Sequence, residues 1–140
     1  MIKHCYSLIC GHAVIDERTR FLSVFDVIEQ ITVKGEPDQA IKIPMRFDLV
    51  SVWMKIETKD LDKGVSRISL SKPGDIISNI SEVEINLTES TFFRSIIQFS
   101  GIELTGPGLY KFLIEFKQTE GDWEVISEVP FVVTYKTSEK

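Results

Sequence analysis

An all-β fold is what this chain predicts: an antiparallel two-sheet β-sandwich, immunoglobulin-like, of about seven to eight strands. Three observations carry that expectation. The stretch from Gly108 to Lys117 alternates strictly behind a Gly106-Pro107-Gly108 turn, with Tyr110, Phe112, Ile114 and Phe116 on one parity and Leu109, Lys111, Leu113, Glu115 and Lys117 on the other. Only an extended chain turns a period of two into one buried and one wet face. Similar segments follow one another along the chain, separated by turn chemistry and with no convincing helix between them. Finally, 140 residues, of which 43% are hydrophobic and 26% charged, match the size and composition of one globular domain that needs no staples. Residues 1–135 are expected to form that single domain and residues 136–140 a flexible C-terminal tail.

The elements follow in order. A first strand runs from about His4 to Ile15 and ends in the charged reversal Asp16 to Arg20. Phe21 to Val33 is rich in β-branched and aromatic residues and reads as a second strand. Val24, Val27, Ile28 and Ile31 also fit a helical period, so helix is the competing reading there. After Gly35 to Asp38 comes the longest strand candidate, Ile41 to Ile56, whose alternation changes phase. Ile41, Ile43, Met45, Phe47 and Leu49 share one parity, and Val50, Val52, Met54 and Ile56 the other. A β-bulge near Leu49 to Ser51 would return the apolar set to one face and leave Trp53 outside as an exposed aromatic. The alternative is a strand covered on both faces.

Turn signals at Asp60 to Gly64 and at Pro73 to Asp75 bracket a short strand, Val65 to Ser71. Ile80 to Leu87 reads as an edge strand whose polar side chains discourage edge-to-edge pairing. Thr91 to Gly101 follows, with Phe92, Arg94, Ile96 and Gln98 on one parity and Phe93, Ile97 and Phe99 on the other. Glu120 to Asp122 makes a hairpin turn between Gly108–Lys117 and a last strand, Trp123 to Tyr135, in which Trp123, Val125, Val129, Phe131, Val133 and Tyr135 share a parity.

Composition narrows function mainly by exclusion. The formal charge is −5 and no Lys/Arg cluster stands out, so nucleic acid is not an expected partner. No apolar run approaches the roughly 20 residues that span a bilayer, so no membrane partner is expected either. Cys5 and Cys10 lie on opposite faces of a regular strand and cannot bridge, which suggests reduced thiols and a cytoplasmic location.

The candidate chemistry is sparse. His4, Cys10 and His12 share a parity and are zinc-ligand types, but His4 and Cys10 lie about 20 Å apart along a strand at roughly 3.3 Å per residue. Cys10 and His12 alone could form a thiol–imidazole pair, which lacks an announced orienting group or oxyanion site. Asp60, Asp62 and Asp75 read better as turn formers than as calcium ligands, and Glu82, Glu84, Glu115 and Glu120 as a solvated face. Gly106-Pro107-Gly108 has a proline where a phosphate cradle needs a donor. No catalytic residue, metal site or cofactor is assigned. Trp53, Trp123, Phe92 and Phe131 could form an aromatic platform, although core packing is the plainer reading for most of them.

Ala13 to Asp16 with Leu22 to Glu29, Phe47 to Val50 with Trp53, and Gly108 to Phe112 with Val129 to Val132 together resemble a family of small bacterial proteins catalogued only as a domain of unknown function. That resemblance implies a cytoplasmic, single-domain β-sandwich and carries no activity and no catalytic residue. The start of the penultimate strand also resembles immunoglobulin-like sandwiches, in which a comparable tyrosine bonds to nearby backbone, and Tyr110 is expected to do the same.

The expected function is a non-enzymatic protein-interaction or assembly module that docks a protein partner or a second copy of itself. Trp53 is the leading contact residue, with Phe92 and Arg94 next. The alternative is a small-ligand or carbohydrate-binding sandwich, and a Cys/His-dependent enzyme using Cys10 and His12 stands third.

Overall fold

The computed structural model describes residues 1–56, 63–118 and 121–137. Among them the chain is all-β, with no helix and with strands β1 (Ile2–Ile15), β2 (Leu22–Val27), β3 (Gln30–Lys34), β4 (Ile41–Ile43), β5 (Phe47–Lys55), β6 (Lys63–Lys72), β7 (Ile76–Asn86), β8 (Phe92–Phe99), β9 (Ile102–Leu104), β10 (Gly108–Gln118) and β11 (Glu124–Lys136). A four-stranded sheet has the order β2-β1-β5-β8, a five-stranded sheet the order β3-β11-β10-β6-β7, and β4 pairs with β9. The expected turn at Asp60 to Gly64 and the hairpin residue Glu120 fall wholly or partly outside the described residues, as does most of the expected tail. β11 itself continues to Lys136, which pairs with Lys34.

Among the described residues eleven strands replace the expected seven or eight, because two long candidates break and one short strand was missed. Phe21 to Val33 divides into β2 and β3 at Ile28 and Glu29, shortly after Asp26, which takes a φ of 57°. The chain then crosses between sheets: the Ile28 N–H donates to the Ile9 carbonyl at 2.8 Å, and the Val132 N–H to the Glu29 carbonyl at 3.0 Å. β3 consequently runs parallel to β11, a departure from an all-antiparallel arrangement. The Ile41 to Ile56 candidate stops at Ile43, ahead of Pro44, whose missing N–H cannot join a ladder. Beyond Phe99, the short strand β9 joins β4 as a separate small sheet.

β5 is buried on both faces, which accounts for its change of phase without a bulge. Phe47, Leu49 and Trp53 enter the main apolar cluster. Val50 and Val52 join Cys10 in a second cluster, against which Leu8, Ala13, Leu22, Val24 and Ile96 pack. The ladder irregularity lies in β1 instead, between His4 and Tyr6. That extra residue flips the parity of β1, as a bulge must. Ile2 and Ile9 therefore share the main cluster, while Cys10 lies on the opposite face.

The main cluster draws on both large sheets, joining Ile9, Leu49 and Trp53 to Ile68, Phe112, Ile114 and Phe131. Phe47 and Phe99 stack at 4.8 Å between ring centres, and Phe112 lies 5.5 Å from Phe99 and 5.7 Å from Phe131. At one end, the buried Tyr110 hydroxyl donates to the Gly106 carbonyl at 2.6 Å and accepts from the Thr105 N–H at 2.9 Å, fulfilling the expected backbone bond. Gly106 and Gly108 take φ values of 141° and 140°, a region open mainly to glycine, so the turn can fold back under the ring. In β11 a register shift opposite Ile114 and Glu115 turns Val125 outward, against its expected parity with Phe131.

Candidate functional site

One row of cross-strand partners sets the site. In the four-stranded sheet Val52 lies opposite both Tyr6 of β1 and Arg94 of β8, and the next pair places Phe92 opposite Met54. Tyr6, Val52 and Arg94 thus project from the face away from the main core. The adjacent row pairs His4 with Trp53 and Trp53 with Phe93, and it projects inward. Neighbouring residues on a strand point to opposite faces, so Trp53 and Arg94 cannot serve one surface.

The β1–β2 hairpin closes the outer row into a cleft. Its turn is held by Asp16, whose Oδ1 accepts from the Arg18 and Thr19 N–H groups at 2.8 and 2.9 Å. These bonds to the charged form also hold the Asp16 carboxyl below its ordinary value. The Arg94 Nη1 donates to the Arg20 carbonyl at 2.6 Å, tying the hairpin tip to β8. The resulting cleft, about 560 Å3, is lined by Cys5, Tyr6, Phe21, Leu22, Val52, Phe92 and Arg94. Phe21 is 71% exposed, Phe92 53% and Tyr6 45%, so three exposed aromatic rings share one cleft with Arg94, a residue of intermediate exposure.

Two of the three contact residues expected from sequence, Phe92 and Arg94, therefore come together. Trp53 does not join them, which corrects its choice as the leading contact residue: of the two readings of β5, the strand covered on both faces is the one observed, and Trp53 is 1% exposed, with its ring 5.3 Å from Phe116 and 5.0 Å from His4. The reason is that β5 needs no phase switch, so Trp53 keeps the inward parity of Phe47 and Leu49. Tyr6 and Phe21 were missed. Tyr6 was hidden by the β1 bulge, and Phe21 by its assignment to a long strand; its position directly after a charged turn was the available signal.

The aromatic platform is likewise dispersed. Phe131 is buried in the main cluster. Trp123 lies on the outer face of the five-stranded sheet, with the Arg67 guanidinium 4.2 Å and the Lys117 ammonium 4.7 Å from its ring centre. Two cations on that ring leave it little free face for a sugar.

His4 shares no face with Cys10 and His12. Its Nε2 lies 2.7 Å from the Ser7 Oγ, which is in turn 2.8 Å from the Ser51 Oγ. Burial lowers the His4 pKa, favouring the neutral ring. Cys10 is fully buried, and burial together with the charge of Asp48 pushes its thiol up against the backbone amides of His12 and Phe25. A reactive cysteine needs the opposite setting, accessible and with a lowered pKa. His12 is exposed and stacks on Phe25 at 6.3 Å. Among the described residues no group of three or more His, Cys, Asp or Glu side chains could hold a metal ion. Asp60, Asp62 and Glu120 lie outside those residues, and Asp75 occupies the β6–β7 turn with a φ of 59°. No helix among the described residues is long and apolar enough to cross a membrane.

No protein-family model matches the chain. No curated protein matches it either. Among solved structures it is similar to a beta-glucosidase from Listeria innocua crystallised in complex with glucose, with a TM-score of 0.49 and 9% sequence identity over 76% of this chain. The match spans only 15% of that protein's length.

A second recess, about 220 Å3, opens beside the main core and is lined by Phe47, Leu70, Phe99, Ile102 and Phe112, with Ile80 and Glu103 also lining it. Ile80 falls where the β6–β7 register shifts, and it is left partly exposed.

Proposed function

We propose that this chain is a non-enzymatic protein-interaction module of the cytoplasm that docks a partner polypeptide in the cleft of Tyr6, Phe21, Phe92 and Arg94. The observation that carries this reading is three exposed aromatic rings around a single guanidinium. Aromatic and arginine side chains dominate the energetics of protein interfaces, because they bury large area at little entropy cost and arginine binds in a fixed fork geometry. Among the described residues Arg94 has no carboxylate within ion-pair distance.

We further read the architecture as a two-sheet, immunoglobulin-like β-sandwich of the kind found in the small bacterial family that the sequence resembles. The apolar cluster shared by both large sheets and the Tyr110 bonds to Thr105 and Gly106 support that reading, and the parallel β3–β11 pair is its departure from the antiparallel pattern.

The experiment is site-specific photo-crosslinking in cells, with the reactive residue placed at Phe21, at Phe92 and, as a control, at the exposed Ile77 of β7. A discrete adduct of this chain plus one partner, formed from Phe21 and Phe92 and absent from Ile77, is expected. No adduct, or the same adducts from all three sites, would remove the reading. Self-association would appear as an adduct of twice the chain mass.

A small-ligand reading rests on the second recess. Its largely aromatic and aliphatic lining suits an apolar molecule of roughly one or two rings. Saturable methyl shifts at Leu70 and Ile102 on titration with indole would support it, and their absence would remove it.

A further inference from the structure

We infer that the cleft recognises the C-terminal residue of its partner, taking an apolar side chain among the rings and the free α-carboxylate on Arg94. This rests on the docking reading above and goes further by naming what is docked.

Charge is the first argument. Of the residues lining the cleft, Arg94 alone is charged; the rest are aromatic, aliphatic or a thiol. In a chain of net charge −5 a cation surrounded by apolar groups would ordinarily attract one of the many carboxylates, yet no described acid forms an ion pair with it. Its one recorded hydrogen bond, Nη1 to the Arg20 carbonyl, anchors one corner of the guanidinium. A guanidinium has five N–H donors, so most of the fork remains for an acceptor, and a carboxylate fits it bidentately.

Geometry selects the kind of anion. Arg94 and the rings of Tyr6, Phe21 and Phe92 line one cleft, so the ligand must present charge and apolar surface close together. A chain-terminal residue does this on a single α-carbon. An internal aspartate or glutamate brings the charge without the apolar body. One guanidinium also balances the single negative charge of a carboxylate and leaves a phosphate dianion in excess.

The test uses a fluorescein-labelled hexapeptide ending in phenylalanine, its C-terminal amide, and the free acid ending in glycine, followed by fluorescence anisotropy. The free acid ending in phenylalanine is expected to bind at least about tenfold more tightly than either of the others, the margin of one charge-assisted hydrogen-bonded contact. Arg94→Met should abolish the preference for acid over amide, and Arg94→Lys should keep part of it. Unchanged thermal unfolding of both variants shows that the fold is intact. Equal binding of acid and amide, a preference that survives Arg94→Met, or no binding by any peptide overturns the inference. N-acetylphenylalanine binding as tightly as the hexapeptide would also overturn it, by assigning the cleft to small carboxylates. Crosslinking from Phe21 that persists when these peptides fail would leave the docking reading standing and remove only the terminal carboxylate.

Discussion

Trp53 packs its ring 5.3 Å from Phe116, one from each large sheet, and so joins the two halves of the main core. Trp53→Ala would leave a large cavity there, at a cost of about 3–5 kcal/mol. Urea unfolding should show a midpoint lowered by that free energy divided by the m-value. An unchanged midpoint would mean that Trp53 lies outside the core, while binding in the Arg94 cleft should survive wherever the variant stays folded.

The Tyr110 hydroxyl serves both the Gly106 carbonyl and the Thr105 N–H. Tyr110→Phe keeps the ring, which stacks 5.3 Å from Phe131, and strands both backbone groups. The expected loss is about 1–3 kcal/mol, the penalty for buried polar groups left unpaired. Amide hydrogen exchange at Thr105 should accelerate in the variant; protection equal to wild type would show that the bond contributes nothing.

Arg67 forms an ion pair with Glu115, donating from Nε at 2.6 Å, and stacks on Trp123. Both charged side chains are largely shielded, with 26% and 11% of their surface exposed. A double-mutant cycle of Arg67→Ala with Glu115→Ala should give a coupling of about 1 kcal/mol that weakens as salt is raised. Quenching of Trp123 fluorescence should also change in Arg67→Ala. Zero coupling would reduce the pair to a surface coincidence.

Burial holds the His4 pKa below the ordinary imidazole value of 6.5. At higher pH both states are neutral at this site and His4 has no effect. As pH falls through 6.5 the unfolded chain takes the proton first, so stability declines until the folded pKa is passed. His4→Gln should therefore lose less stability than the wild type between neutral and mildly acidic pH. Parallel pH profiles for the two would show that His4 titrates normally.

Cys5 is exposed and Cys10 buried, and both are free thiols. Native protein treated with iodoacetamide should gain a single adduct, on Cys5, with Cys10 reacting only after unfolding. A peptide seated in the cleft should slow the Cys5 reaction, because Cys5 lines it. Equal rates at the two thiols would contradict the burial of Cys10.

Much of the fold was legible because strand alternation is local. The β10 face of Tyr110, Phe112, Ile114 and Phe116 came directly from spacing, as did the shared parity of Phe92 and Arg94 on β8. Each failure traces to one displaced residue or one hidden neighbour. A single extra residue between His4 and Tyr6 separates His4 from Cys10, and a register shift in β11 sends Val125 outward. Trp53 was misplaced because a second apolar layer, formed with Leu22 and Val24 of the β1–β2 hairpin, makes both parities of β5 apolar. Alternation loses its meaning in a strand covered on both sides.

Sequence by itself determined that this protein is all-β, where most of its extended segments and turns fall and that Tyr110 faces the core, while its bond to nearby backbone was what a resemblance implied. Only the tertiary structure decided which sheet each strand joins, that β3 crosses to lie parallel to β11, and that Trp53 is core while Tyr6 and Phe21 stand beside Arg94. The physical reason is that a period of two records which residues share a face, whereas the partner packed against that face determines whether it is buried, and that partner lies far away along the chain.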